Sequence, residues 1–267
     1  MVLAASVATS LRAQPPSPQT PPAAGEAKPD APQPMPPMSR ECQPGAAEAG
    51  SETALPNVAK AMRERGRITI LAIGASPMIR REGGAGGYYG LVENLLEQTF
   101  KGLQVEVLHR GLAGELARDA GARIKMEVAF AKPDLVLWQL GTADALSRLP
   151  VEDFAASVRE TLAWLKARDV DVVLIGLQYV KAATKDAHYQ AVRAALKKAA
   201  AEQGVLRIGR YEAVEVIARL KSEQGAPMSG TRTAEAGYEC SAEYLARAIA
   251  SGLFLKAKPA TAPATKR

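Results

Sequence analysis

A serine stands just past the end of an apolar run: residues 67–74 read RITILAIG, and Ala75 and Ser76 follow. A short β-branched run set between Gly66 and Gly74 has the pattern of a buried strand. In an open α/β sheet, ligands bind outside the carboxyl ends of the strands, so Ser76 has the position of a nucleophile. A serine hydroxyl attacks only when a base takes its proton at the working pH. The chain has two histidines, His109 and His188. His109 follows a second strand-like segment and points towards the same sheet edge, where it is either a base or a packed loop residue. His188 opens a helix remote from that edge. Arg110 is either an anion ligand or a surface cation, and Asp144 is either a carboxylate of the site or a turn residue. Neither the histidines nor Cys42 and Cys240 have metal-site spacing, and no metal or other cofactor is expected. The GGAGG loop at residues 83–87 lacks the Gly-Lys-Ser/Thr of a phosphate loop and does not match the dinucleotide fingerprint. It reads as a rim loop beside the serine.

The elements that must position these residues alternate along the chain. After the first strand, residues 88–100 carry Leu91, Leu95 and Leu96 at helical spacing, and residues 103–108 (LQVEVL) alternate as a strand. Residues 115–130 read as a helix and 134–140 (DLVLWQL) as a third strand. Pro150 suits the first turn of a helix that reaches residue 168. Residues 171–177 form a fourth strand, Asp186 caps a helix running to Gly204, and residues 205–208 are a short fifth strand. Helices at 211–224 and 241–255 follow, and a short helix capped by Asn57 and ended by Gly66 precedes the first strand. Repeated βα units of this length fold as a parallel sheet with helices on both faces. Trp138 and Trp164 fall at core positions. Three small turns then share one sheet edge: Gly74-Ala75-Ser76, residues 109–114 (HRGLAG) and residues 141–144 (GTAD).

The order of these turns resembles the SGNH, or GDSL-type, hydrolases over residues 67–255. The resemblance implies a flavodoxin-like three-layer α/β sandwich with a five-stranded parallel sheet, and hydrolysis of carboxylic esters. It makes Ser76 the nucleophile and Gly114 the glycine whose N–H helps hold the oxyanion. Ala143 falls in the slot of an asparagine that donates to the same oxyanion. The last family block is Asp-x-x-His just before the final helix; it puts Glu235 in the aspartate slot and Tyr238 in the histidine slot. The chain departs from the pattern at Ala75, Ala143 and Tyr238. Losing one oxyanion donor lowers turnover about 10²–10³-fold. An unperturbed tyrosine, with a pKa of about 10, is a poor proton acceptor at pH 7. The proton then falls to His109 or to a Glu235–Tyr238 pair, with Arg110, Ala143 and Asp144 on the substrate side. Two functions fit: a weak esterase acting on acyl or acetyl esters, and a degenerate SGNH domain that binds a glycan or an envelope component without turnover.

Composition sets the remaining bounds. At 267 residues and 47% hydrophobic, the chain can build one sizeable core. The net charge is +6, but no compact Lys/Arg run is interleaved with aromatics, so nucleic acid is not an expected partner. No apolar run is long enough to span a bilayer as a helix. Residues 1–13 (MVLAASVATSLRA) look like the remnant of a secretory signal, with a cut after Ala13. Residues 14–40 read as a Pro/Ala-rich disordered linker, 41–256 as the SGNH hydrolase-like domain and 257–267 as a loose basic tail. Cys42 and Cys240 are either one staple across the domain or two unrelated thiols; an oxidising compartment favours the staple. The expected protein is a secreted or periplasmic monomer, with a small-molecule or glycan ester as substrate.

Overall fold

In a computed structural model, the structure describes residues 32–50, 52–74 and 87–255, without the side chains of residues 230–232 and 234–236. The leader-like residues 1–13, most of the linker, Ser76 with its glycine-rich loop, and the tail lie outside the described residues. The elements run in the order α1 (Ala46–Ala49), α2 (Pro56–Arg65), β1 (Arg67–Gly74), α3 (Gly87–Thr99), β2 (Gln104–Gly111), α4 (Ala117–Ala131), β3 (Leu135–Gln139), α5 (Thr142–Leu146), α6 (Val151–Lys166), β4 (Asp171–Ile175), α7 (Ala187–Gln203), β5 (Leu206–Ile208), α8 (Arg210–Glu223) and α9 (Gly230–Gly252).

All five strands are parallel, in the order β2-β1-β3-β4-β5. Alternation along each strand divides the core in two. Ile68, Ile70 and Ala72 of β1 face a layer built from α2, α3, α8 and α9. Leu71 and Ile73 face the layer of α4, α6 and α7. The middle strands are apolar on both faces because both are covered, and β3 is buried from Leu135 to Trp138. This is the three-layer α/β sandwich with a five-stranded parallel sheet that the sequence resemblance implies.

Local signals explain most helix ends. The Asp186 carboxylate accepts the Tyr189 N–H at 2.9 Å and opens α7. Asn57 does not cap α2. The buried Asp171 carboxylate does so from β4: its Oδ2 accepts the N–H groups of Asn57 at 2.8 Å and Val58 at 3.0 Å, and its Oδ1 accepts Asn57 Nδ2 at 3.0 Å. A carboxylate at a helix N-terminus complements the orphan N–H groups and the dipole.

The last helix differs most from the expectation. It starts at Gly230 rather than near residue 241, although its first turns hold two glycines and two threonines, all weak helix formers. Tertiary contacts anchor the helix from its middle. Cys240 is disulfide-bonded to Cys42, with the two Cα atoms 5.1 Å apart, which decides for the staple. Tyr244 O–H donates to the Cys42 carbonyl at 2.5 Å, Ser39 N–H to Glu243 at 2.9 Å, and Arg247 to the Pro36 carbonyl at 2.5 Å. Residues 36–42 thus form a strap across α9. Among the described residues no helix is long and apolar enough to cross a membrane.

Candidate active site

Three turns meet at the carboxyl edge of the sheet, and backbone geometry joins them. β1 ends at Gly74, with φ +114°; a Cβ there would stand 1.9 Å from the Gln139 carbonyl oxygen of β3. Only glycine lets the chain leave β1 so close to its neighbour. The Gly74 carbonyl accepts the Leu112 N–H at 3.1 Å, which fastens the turn after β2 to the end of β1. That turn closes through Glu115 N–H to the Leu112 carbonyl at 3.2 Å, with Gly114 in the left-handed region at φ +75°. Among the described residues, its two chain neighbours apart, no atom lies within 4 Å of where a Gly114 Cβ would be. The buried Glu115 carboxylate takes two bonds from Arg123, both 2.7 Å, and Arg123 also donates to the Arg110 carbonyl at 2.6 Å. These bonds stiffen the turn that presents Gly114.

The third turn leads into α5, and Asp144 ties it to the second. Asp144 Oδ1 accepts the Ala117 N–H at the start of α4, at 2.9 Å. Burial pushes this carboxyl above the usual range, and Oδ2 has no hydrogen-bond partner among the described residues. Ala143 sits half-buried beside it and brings a methyl where an amide would bring a donor.

The other expected residues scatter around this frame. Ser76 follows Gly74 by two residues, outside the described part. Arg110 turns to the α4 side, where its Nε donates to Glu127 at 3.1 Å. His109 is exposed on edge strand β2, its ring 5.4 Å from that of Tyr89. Glu235 and Tyr238 lie within α9 instead of before the final helix, three residues apart and so on one helix face. Tyr238 is half-buried, and its ring lies 6.4 Å from the ring of Tyr88. Tyr88 and Tyr89 touch at 4.6 Å in the first turn of α3. His109, Tyr89, Tyr88 and Tyr238 therefore form one aromatic row, anchored on the helix that follows the serine loop. Among the described residues, no group of three or more His, Cys, Asp or Glu could hold a metal ion.

Two residues in this region were not legible as functional. Arg210 opens α8 and is 1% exposed. Its guanidinium lies over the Tyr238 ring, with Cζ 4.6 Å from the centroid. The Tyr88 hydroxyl is buried beside them without a partner among the described residues. The sequence did hold a signal: β5 ends and, after Gly209, a cation follows at the edge where ligands bind.

Comparison with known proteins agrees with this frame. The profile of the Non-GDSL lipase-like family matches residues 41–254. Axe2, an acetylxylan esterase from Geobacillus stearothermophilus, superposes with a TM-score of 0.53 at 20% identity, over 72% of this chain and 97% of its own. LAE5, an alpha/beta hydrolase enzyme from the metagenome of Lake Arreo, Spain, gives a TM-score of 0.53 at 18% identity, over 69% and 95%. At these identities the likeness is one of fold. No curated protein matches the chain.

Proposed function

Since the chain belongs to the Non-GDSL lipase-like family, we propose that it is an exported serine hydrolase acting on carboxylic esters, of acyl or acetyl type. Ser76 attacks the ester carbonyl, and the N–H groups of Ser76 and Gly114 hold the oxyanion. The observation that carries this reading is the Leu112 N–H to Gly74 carbonyl bond of 3.1 Å. It sets the Gly114 turn against the chain two residues before Ser76, as an oxyanion hole made from two loops requires. His109 or the Glu235–Tyr238 pair takes the serine proton, with Ala143 and Asp144 lining the substrate side. Export rests on the leader-like residues 1–13 and on the Cys42–Cys240 bond, since such bonds persist in oxidising compartments. Turnover is weak because Ala143 supplies no side-chain donor and Tyr238 stands in the histidine slot.

A second reading, a domain that binds a glycan or envelope component without turnover, is favoured by one observation. The Tyr238 ring lies over the Arg210 guanidinium, a contact that ties it into a packed cluster. Labelling with a fluorophosphonate probe separates the two. The hydrolase labels at Ser76, and Ser76→Ala removes the label. Wild-type labelling no greater than that of Ser76→Ala overturns the hydrolase and leaves the binder.

A further inference from the structure

Among the described residues, Arg210 is a charge without a counterion. It is 1% exposed, and Nε, Nη1 and Nη2 are all buried without a hydrogen-bond partner among the described residues. An arginine does not escape by losing its proton, so the cation itself is buried. Stacking on an aromatic ring offsets only part of the cost of desolvating an ion. Its place in the fold makes matters worse. Arg210 is the first residue of α8, a helix of 14 residues, and the positive end of a helix dipole disfavours a cation and attracts an anion. The Tyr88 ring lies 6.4 Å from the Tyr238 ring on which Arg210 stacks, and its hydroxyl is also buried and unpartnered among the described residues. Burial holds that hydroxyl well above its ordinary pKa of 10, so it stays a donor. Among the described residues these four buried donor atoms have no acceptor, and Gly237 lets α9 pack against the guanidinium: a Cβ there would stand 3.3 Å from Val214 Cγ2, 3.8 Å from Arg210 Nε and 3.9 Å from Nη2.

We propose that Arg210, with Tyr88 O–H, is a binding site for the carboxylate group of a ligand at the carboxyl edge of the sheet. A guanidinium fork matches a carboxylate in a paired, planar contact. One buried cation balances one negative charge, which selects a carboxylate over a phosphate monoester carrying nearly two. The site goes beyond ester hydrolysis and stands with or without turnover at Ser76. Entry is past Tyr238, whose ring covers the guanidinium and is half-buried. The anion role that the sequence offered to Arg110 passes to Arg210, because Arg110 is already paired with Glu127.

Thermal unfolding at fixed ionic strength tests the site with acetate and D-glucuronate as probes, and acetamide and D-glucose as their neutral counterparts. Both carboxylates raise the wild-type midpoint saturably, by about 3 °C at ten times Kd, and the neutral compounds do not. Arg210→Met has a higher midpoint than wild type without carboxylate and does not respond to it. Tyr88→Phe keeps the fold and weakens the acetate response several-fold. Three results overturn the proposal: an equal carboxylate shift in Arg210→Met, an Arg210→Met protein that is less stable or unfolded in carboxylate-free buffer, or a larger shift with phosphate than with either carboxylate. An unchanged acetate response in Tyr88→Phe removes Tyr88 from the site. Binding is read without turnover, so this outcome and the Ser76 labelling outcome are independent.

Discussion

Replacing Asp171 with asparagine should change how the stability of this protein depends on pH, in a direction and by an amount that follow from one buried carboxyl. Asp171 accepts two backbone N–H groups and one side-chain amide from the start of α2. Those bonds favour its charged form, but burial outweighs them, with the nearby Asp134 adding to the shift, and the carboxyl is pushed up to about 6 from 3.8. Between pH 4 and pH 6 the folded protein therefore holds a proton that the unfolded chain has released. The stability this carboxyl contributes is greatest below pH 4 and is lost as pH rises through 6. At 1.36 kcal/mol per tenfold change, the fall is about 3 kcal/mol. Asparagine has the same shape, and its oxygen can accept both N–H groups while the Asn57 amide turns over to meet its NH₂. Urea unfolding of both proteins at pH 4, 5, 6, 7 and 8 isolates the group, because all other titrations cancel in the difference. Asp171→Asn should gain on wild type by about 3 kcal/mol between pH 4 and pH 8. Parallel pH profiles, or a variant that loses ground as pH rises, would refute the argument that burial governs this carboxyl.

Gly74→Ala forces a Cβ to within 1.9 Å of the Gln139 carbonyl at a positive φ; urea midpoints should show a loss of about 3–5 kcal/mol. Reducing the Cys42–Cys240 bond, or replacing both residues with serine, should lower stability by about 2–5 kcal/mol in urea. Non-reducing peptide mapping of secreted protein should return the two cysteines in one peptide pair, and two free thiols would remove the main support for export. Tyr238→His combined with Ala143→Asn should raise turnover of an aryl acetate. The Arg210 guanidinium beside position 238 disfavours a charged imidazole and so keeps it available as a base. No gain would count against the assignment of Glu235 and Tyr238 to the last catalytic block.

The sheet was readable from the chain because its signals are local. Runs such as ILAIG (residues 70–74) and VVLI (residues 172–175) carry no polar side chain, and such runs become strands covered on both faces. Asp186 and the helix it opens were equally plain. The start of α9 is not legible, since residues 230–240 carry no apolar periodicity; Gly237 packs there on Val214 and Arg210 of α8, a contact that no local pattern announces. α5 was missed because five residues leave no periodic pattern. In the site, the turns that hold Gly74 and Gly114 could be placed from their glycines, while the part given to Gly114 came from the family resemblance. Arg210 could not: a buried cation at a helix start contradicts the rule that charges stay in water, and only the fold reveals that the rule is broken there.

The covalent link between Cys42 and Cys240 encloses 198 residues of sequence separation, and every strand of the sheet lies inside that loop. Pulling on the protein from its two ends therefore sends the load from one sulfur to the other and around the sheet. Under oxidising conditions, force applied through the flanking segments can peel the last turns of α9, while the strands stay unloaded until the sulfur–sulfur bond is cut.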